Sequence, residues 1–231
     1  MRKLLLSLIA AITFFTASSQ PPAPMTDAER NFKKDSTLRA AIHEDSVKIG
    51  KQFANMEKWD KLFARAEYPL IKEGKEARMG GIIPVKGITE IPDPNIEYKL
   101  LFELTDANPD SIKSEIDGSL GEVARVINLH IASGVPQNKI TPVIVIHGSA
   151  LFAVSNNEYY QKKFKKDNPS IKLINELKSL GTRFIICGQA MTFHEMKIED
   201  FLPDVKLSLT AQTVLTHYQL KGYVLNTIKT E

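Results

Sequence analysis

The chain has 231 residues, 43% of them hydrophobic and 25% charged, with a formal net charge of +3. That is ordinary globular composition, and it excludes collagen-like, low-complexity and disulfide-scaffold chains. A single cysteine rules out an internal disulfide, and the small net charge gives no ground for a nucleic-acid or membrane-surface partner.

The chain opens with Arg2 and Lys3, continues with an apolar run over 4–15, and reaches the small residues Ala17-Ser18-Ser19. This pattern reads as an export leader over 1–19, cut before Gln20. Its apolar core is too short to span a bilayer comfortably, and no later run is longer, so membrane insertion is not expected. The leader holds two basic residues and no acid, so its removal takes the net charge from +3 to +1. A periplasmic or secreted protein is the expectation.

Residues 20–95 read as an N-terminal extension. Residues 20–25 are a proline-rich spacer. Thr26 with Glu29 forms a capping-box pattern, and 27–66 are charged and helical. Phe53, Met56, Trp59, Leu62 and Phe63 fit one helical stripe. Trp59 is expected to pack on the main domain or on a neighbouring subunit. Over 67–95, Pro69, Gly74, Gly80, Gly81, Pro84, Gly87, Pro92 and Pro94 break every long element. This stretch reads as an irregular arm with Ile82, Ile83, Val85 and Ile88 as anchors and its glycines as turn formers.

From Tyr98 the pattern is regular. Residues 98–104 read as the first strand, and 105–110 as a polar loop with Pro109. A helix follows over 119–131, stopped near Gly134-Val135-Pro136. Residues 142–146 are apolar throughout, which reads as a second strand buried on both faces. Helices follow over 158–166 and 170–180, with Gly181 as a stop. Phe184-Ile185-Ile186 forms the third strand and ends on Cys187. A short helix follows, then a fourth strand over 205–209, a last helix over 211–220 and a fifth strand over 223–225. Strands alternating with helices predict an α/β domain over 96–231. It has a five-stranded, mostly parallel sheet with helices on both faces.

Parallel sheets gather their strand ends along one edge, where open α/β folds bind ligands. Thr105 and Asp106 follow the first strand; His147, Gly148 and Ser149 the second; Cys187, Gly188 and Gln189 the third; Thr210, Ala211 and Gln212 the fourth. Cys187 also stands at the start of a helix, which favours a thiolate. Read from position alone, it serves equally as a reactive thiol or as a small buried hydrophobe. His147 either tunes that thiol or hydrogen-bonds a neighbouring loop. His194 is expected to be exposed. His43, His130 and His217 show no metal-ligand spacing, so no metal is expected. Cys-x-x-Cys, Gly-x-Gly-x-x-Gly, Walker and Gly-x-Ser-x-Gly patterns are all absent, so no cofactor is expected either. The cluster Lys162, Lys163, Lys165 and Lys166 reads as a solvated helix face.

Four features together resemble the DsrE/DsrF-like family, in its exported single-domain branch. They are the strand Tyr98-Lys99-Leu100-Leu101-Phe102, the segment His147-Gly148-Ser149-Ala150-Leu151, the segment Ile186-Cys187-Gly188-Gln189-Ala190-Met191, and the tail from Leu202-Pro203-Asp204-Val205 to Gly222-Tyr223. The lead-in Gly80-Gly81-Ile82-Ile83-Pro84-Val85 is similar to that branch as well. The resemblance implies a homotrimer or hexamer. It also implies a sulfur-carrying role, with a cysteine persulfide on the strand-end Cys187 and a small sulfur-carrying molecule or partner protein as donor. Cys187 and His147 are then the candidate reactive residues. Thr105, Gly148, Ser149, Gly188 and Gln189 are the candidate ligand-binding residues. The chain departs from the better understood relatives in its leader and in lacking a second cysteine. The alternatives are a non-catalytic small-ligand-binding module, with Cys187 as packing, and an oligomeric interaction protein.

Overall fold

The computed structural model describes residues 26–75, 80–106 and 116–228. The leader, the spacer over 20–25 and most of the loop after the first strand lie outside the described residues.

The chain divides into two compact units, Met1–Met56 and Glu57–Glu231. The described part of the first is a stretch of the long helix α1, Asp27–Phe63. In the second unit, Trp59 stacks on Phe63 with ring centroids 5.8 Å apart. It keeps 53% of its surface exposed, so the domain of its own chain does not bury it.

The second unit is built on five parallel strands: β1 (Tyr98–Leu104), β2 (Ile140–Ile146), β3 (Arg183–Cys187), β4 (Lys206–Ser208) and β5 (Val224–Thr227). Their order is β4-β3-β2-β1-β5, and every pairing is parallel. The helices are α2 (Gly118–Ala132), α3 (Asn157–Phe164), α4 (Ile171–Ser179), α5 (Gly188–Phe193) and α6 (Ala211–Leu220). Alternation along the strands sorts side chains onto two faces. Leu100, Phe102, Leu104, Ile144, Ile146, Phe184 and Ile186 join α2 and α4 in the larger core. Leu101, Val143, Val145, Ile185 and Cys187 join Ala211, Leu215 and Tyr218 of α6 in the smaller one. β2 is at the centre, in keeping with its unbroken apolar run.

The arm before β1 is held differently from the sequence-based expectation. Ile71 and Ile82 are buried, whereas Ile83, Val85 and Ile88 are exposed. The clamp is polar. Fully buried Asn128 of α2 accepts hydrogen bonds from the Leu70 and Ile71 N–H groups, at 3.0 and 2.8 Å. Its amide donates to the carbonyls of Ile71 and Gly80, both at 3.1 Å. Glu176 of α4 accepts from the Lys72 and Glu73 N–H groups. Gly80 serves close packing rather than a turn: a Cβ there would fall 2.0 Å from the Gly74 carbonyl oxygen. The lysine cluster also differs in one member. Lys163 Nζ sits 3.8 Å from the centre of the Phe152 ring, and burial holds its amine below the usual range.

Candidate functional site

β3 delivers Cys187 to the carboxyl edge because its four apolar residues drive it through the middle of the domain. Gly188 then lets the end of β4 come close; a Cβ on Gly188 would lie 2.8 Å from the Ser208 carbonyl oxygen. Ser208 Oγ donates to the Ile186 carbonyl at 2.9 Å and ties the two strand ends together. The result sets Cys187 against the first residues of both α5 and α6.

Cys187 is 5% exposed and packs with Ala190 and Ala211. Burial alone pushes its thiol up. The N–H groups of Ala190, Ala211 and Gln189 and the hydroxyl of Thr210 outweigh burial, and the net direction is down. The thiol makes no capping hydrogen bond on α5 as it stands, so these donors mainly favour the anion. The Gln189 N–H is shared, since it also donates to the Leu209 carbonyl at 3.2 Å. Thr210 Oγ1 accepts from the Gln212 N–H at 3.3 Å, which leaves its own proton to point elsewhere.

His147 follows Ile146, whose register partner on β3 is Ile186. It therefore stands across from Cys187, on the same face by alternation. Its Nε2 lies 2.9 Å from Oε1 of Glu103 on β1, and each side chain is about one-third exposed. Glu103, His147 and Cys187 thus sit on three adjacent strands on one face. Sequence reasoning missed Glu103. Its signal is a lone acid among the apolar residues of β1. Thr210 was placed at the edge but given no role.

The remaining candidates divide. Gly148 has φ +57°, and a Cβ there would lie 2.3 Å from the Thr105 carbonyl oxygen. Its role is to let the turn after β2 close on the end of β1. The His147 N–H donates to the Leu104 carbonyl and the Ala150 N–H to the Thr105 carbonyl in the same contact. Thr105 is exposed, and its hydroxyl donates to the Asp106 carboxylate at 3.0 Å. Ser149 is half-buried, and the Gln189 side chain is exposed. His194 is half-buried, edge-on to Phe152 at 5.2 Å, rather than exposed. Among the described residues, no group of three or more His, Cys, Asp or Glu could hold a metal ion. No described helix is long and apolar enough to cross a membrane.

The model of the DsrE/DsrF-like family matches residues 117–227, the stretch that holds β2 to β5 with His147 and Cys187. Residues 117–227 belong to the DsrE/DsrF-like family. This DsrE/DsrF-like segment supports a sulfur-relay-related family. No curated protein matches the chain. Among solved structures, one similar chain is a protein of unknown function from Methanobacterium thermoautotrophicum. It is 15% identical, with a TM-score of 0.44, over 57% of this chain and 100% of that one.

Proposed function

We propose that the protein is an exported sulfur carrier in which Cys187 takes up sulfane sulfur as a persulfide. The observation that carries this reading is the place of Cys187 at the carboxyl end of β3, packed against Ala190 of α5 and Ala211 of α6, where backbone N–H groups and the Thr210 hydroxyl hold its thiol below the usual range. They favour the thiolate, the nucleophilic form. That thiolate attacks the outer sulfur of a donor R–S–S–H. A bond forms from Sγ to that sulfur, the donor's S–S bond breaks, and R–S⁻ leaves with the electron pair. No net oxidation occurs, so one cysteine suffices. An acceptor thiolate then removes the outer sulfur by the same step.

Export rests on the leader pattern over 1–19. Assembly into a homotrimer or hexamer is part of the proposal. Its support is the exposed apolar side chains of Trp59, Phe193, Leu209, Leu220 and Val224, which an interface would remove from water. Light scattering of the mature chain tests this: a monomer at micromolar concentration refutes it.

The test of the function is intact-mass analysis of the purified protein after exposure to a low-molecular-weight persulfide at neutral pH. A gain of one sulfur atom, lost on reduction and absent from Cys187→Ser, is the expected result. A folded protein whose Cys187 takes up no sulfur and resists alkylation refutes the reading. It would favour a non-catalytic ligand-binding module, for which the near-complete burial of Cys187 speaks.

A further inference from the structure

We infer that Glu103 is a positioning residue for the sulfur chemistry, holding His147 so that one chosen ring nitrogen serves Cys187. This inference rests on the sulfur-carrier reading. β1 reads Tyr98-Lys99-Leu100-Leu101-Phe102-Glu103-Leu104, and Leu100, Leu101, Phe102 and Leu104 are buried. Glu103 falls on the face of Leu101, Val143, Val145 and Ile185, where an aliphatic residue would extend the smaller core. Among the described residues, the carboxylate there meets Nε2 of His147 at 2.9 Å.

A carboxylate is acceptor-only, so the proton in this contact sits on Nε2. The neutral ring then carries its lone pair on Nδ1. His147 is fixed at its backbone too, since its N–H donates to the Leu104 carbonyl at 2.9 Å. α5 and α6 bring no acidic residue in their first turns. Glu103 in β1 and Cys187 at the end of β3 share the ring's face, and Asp106 follows β1 at the same edge. As the thiolate forms, the Cys187 proton passes to Nδ1, and Glu103 balances the imidazolium. When the donor's S–S bond breaks, that proton goes to the leaving R–S⁻. The ring returns to its starting tautomer, and no electron is gained or lost overall.

The experiment compares full-length wild type, Glu103→Gln, His147→Gln and the double variant. The first readout is the pH profile of Cys187 alkylation by iodoacetamide. The second is the 15N spectrum of the His147 ring in wild type and Glu103→Gln. Wild type is expected to show a protonated Nε2 and an unprotonated Nδ1. Glu103→Gln should lose that bias, move the alkylation midpoint upward and slow alkylation at pH 7 on the order of tenfold. The double variant should be no slower than His147→Gln alone. Superimposable profiles for wild type and both single variants overturn the inference, as does an Nδ1-protonated ring in wild type. The persulfide mass assay on wild type reads the sulfur-carrier proposal separately. If sulfur uptake fails while the ring and the profile respond as expected, the sulfur reading falls and the Glu103–His147–Cys187 coupling stands.

Discussion

Asp117 gives the sharpest prediction, because a carboxyl group is buried where a neutral one would do. It precedes α2, and its Oδ1 accepts from the Leu120 N–H at 3.1 Å. It is 4% exposed. Burial raises its pKa from 3.8 to about 6, against the opposing pull of hydrogen bonds from Leu120 and Ser119. The native state therefore binds this proton more tightly than the unfolded chain does. The contribution to stability is full below pH 3.8 and is lost as the pH rises through about 6. At about 1.4 kcal/mol per pKa unit, the loss across that window is about 3 kcal/mol. Asp117→Asn keeps a capping acceptor and removes the titration. Urea unfolding of both proteins at steps from pH 4 to pH 8 gives the difference in stability at each pH. Groups common to both proteins cancel. The difference should move in favour of Asp117→Asn as the pH rises, by about 3 kcal/mol in all. A difference that stays flat across the range refutes the reasoning.

Further outcomes can be checked on the same protein. Asn128→Ala removes the clamp on the arm and strands the Leu70 and Ile71 N–H groups; it should cost roughly 3 kcal/mol or more in urea melts and open the arm to proteolysis. A cost under about 1 kcal/mol would mean the arm does not depend on that side chain. Gly148→Ala must carry a Cβ 2.3 Å from a carbonyl oxygen at φ +57°, so thermal unfolding should show a loss of roughly 2–4 kcal/mol. Thr210→Val removes one donor from the Cys187 thiolate. The alkylation midpoint should then move up from a wild-type value below that of a free thiol; an unmoved midpoint would remove Thr210 from the site.

The sheet was legible in the sequence wherever burial dictated residue type. β2 and β3 are nearly all apolar because both faces are covered, and that signal needs no partner to be recognised. β4 was harder to bound. As a three-residue edge strand with an exposed Lys206 and Leu207, it carries little burial pattern. The arm misled for a related reason. In a stretch of glycine and proline no period marks the inward side chains, and what holds it is Asn128, more than forty positions away. Cys187 stood out as the lone cysteine at a strand end. The backbone N–H groups that hold its thiol down did not, because they leave no trace in side-chain identity. Glu103 was hidden by its neighbours: one acid in an apolar strand looks like an outward-facing residue until His147 is seen beside it.

The strand order also sets a timetable. β1, β2, β3 and β4 each pair with the strand just before or after in the chain, so the ladder from β1 to β4 can assemble from neighbouring segments. β5 is the exception, because it must travel back across the whole sheet to pair with β1. Until it does, Leu100 to Glu103 of β1 present an unpaired backbone edge beside some of the most apolar strands of the protein. Wherever folding begins before the last strand is in reach, that edge stays open until β5 arrives. This is the interval in which a newborn chain is most exposed to pairing with the wrong neighbour.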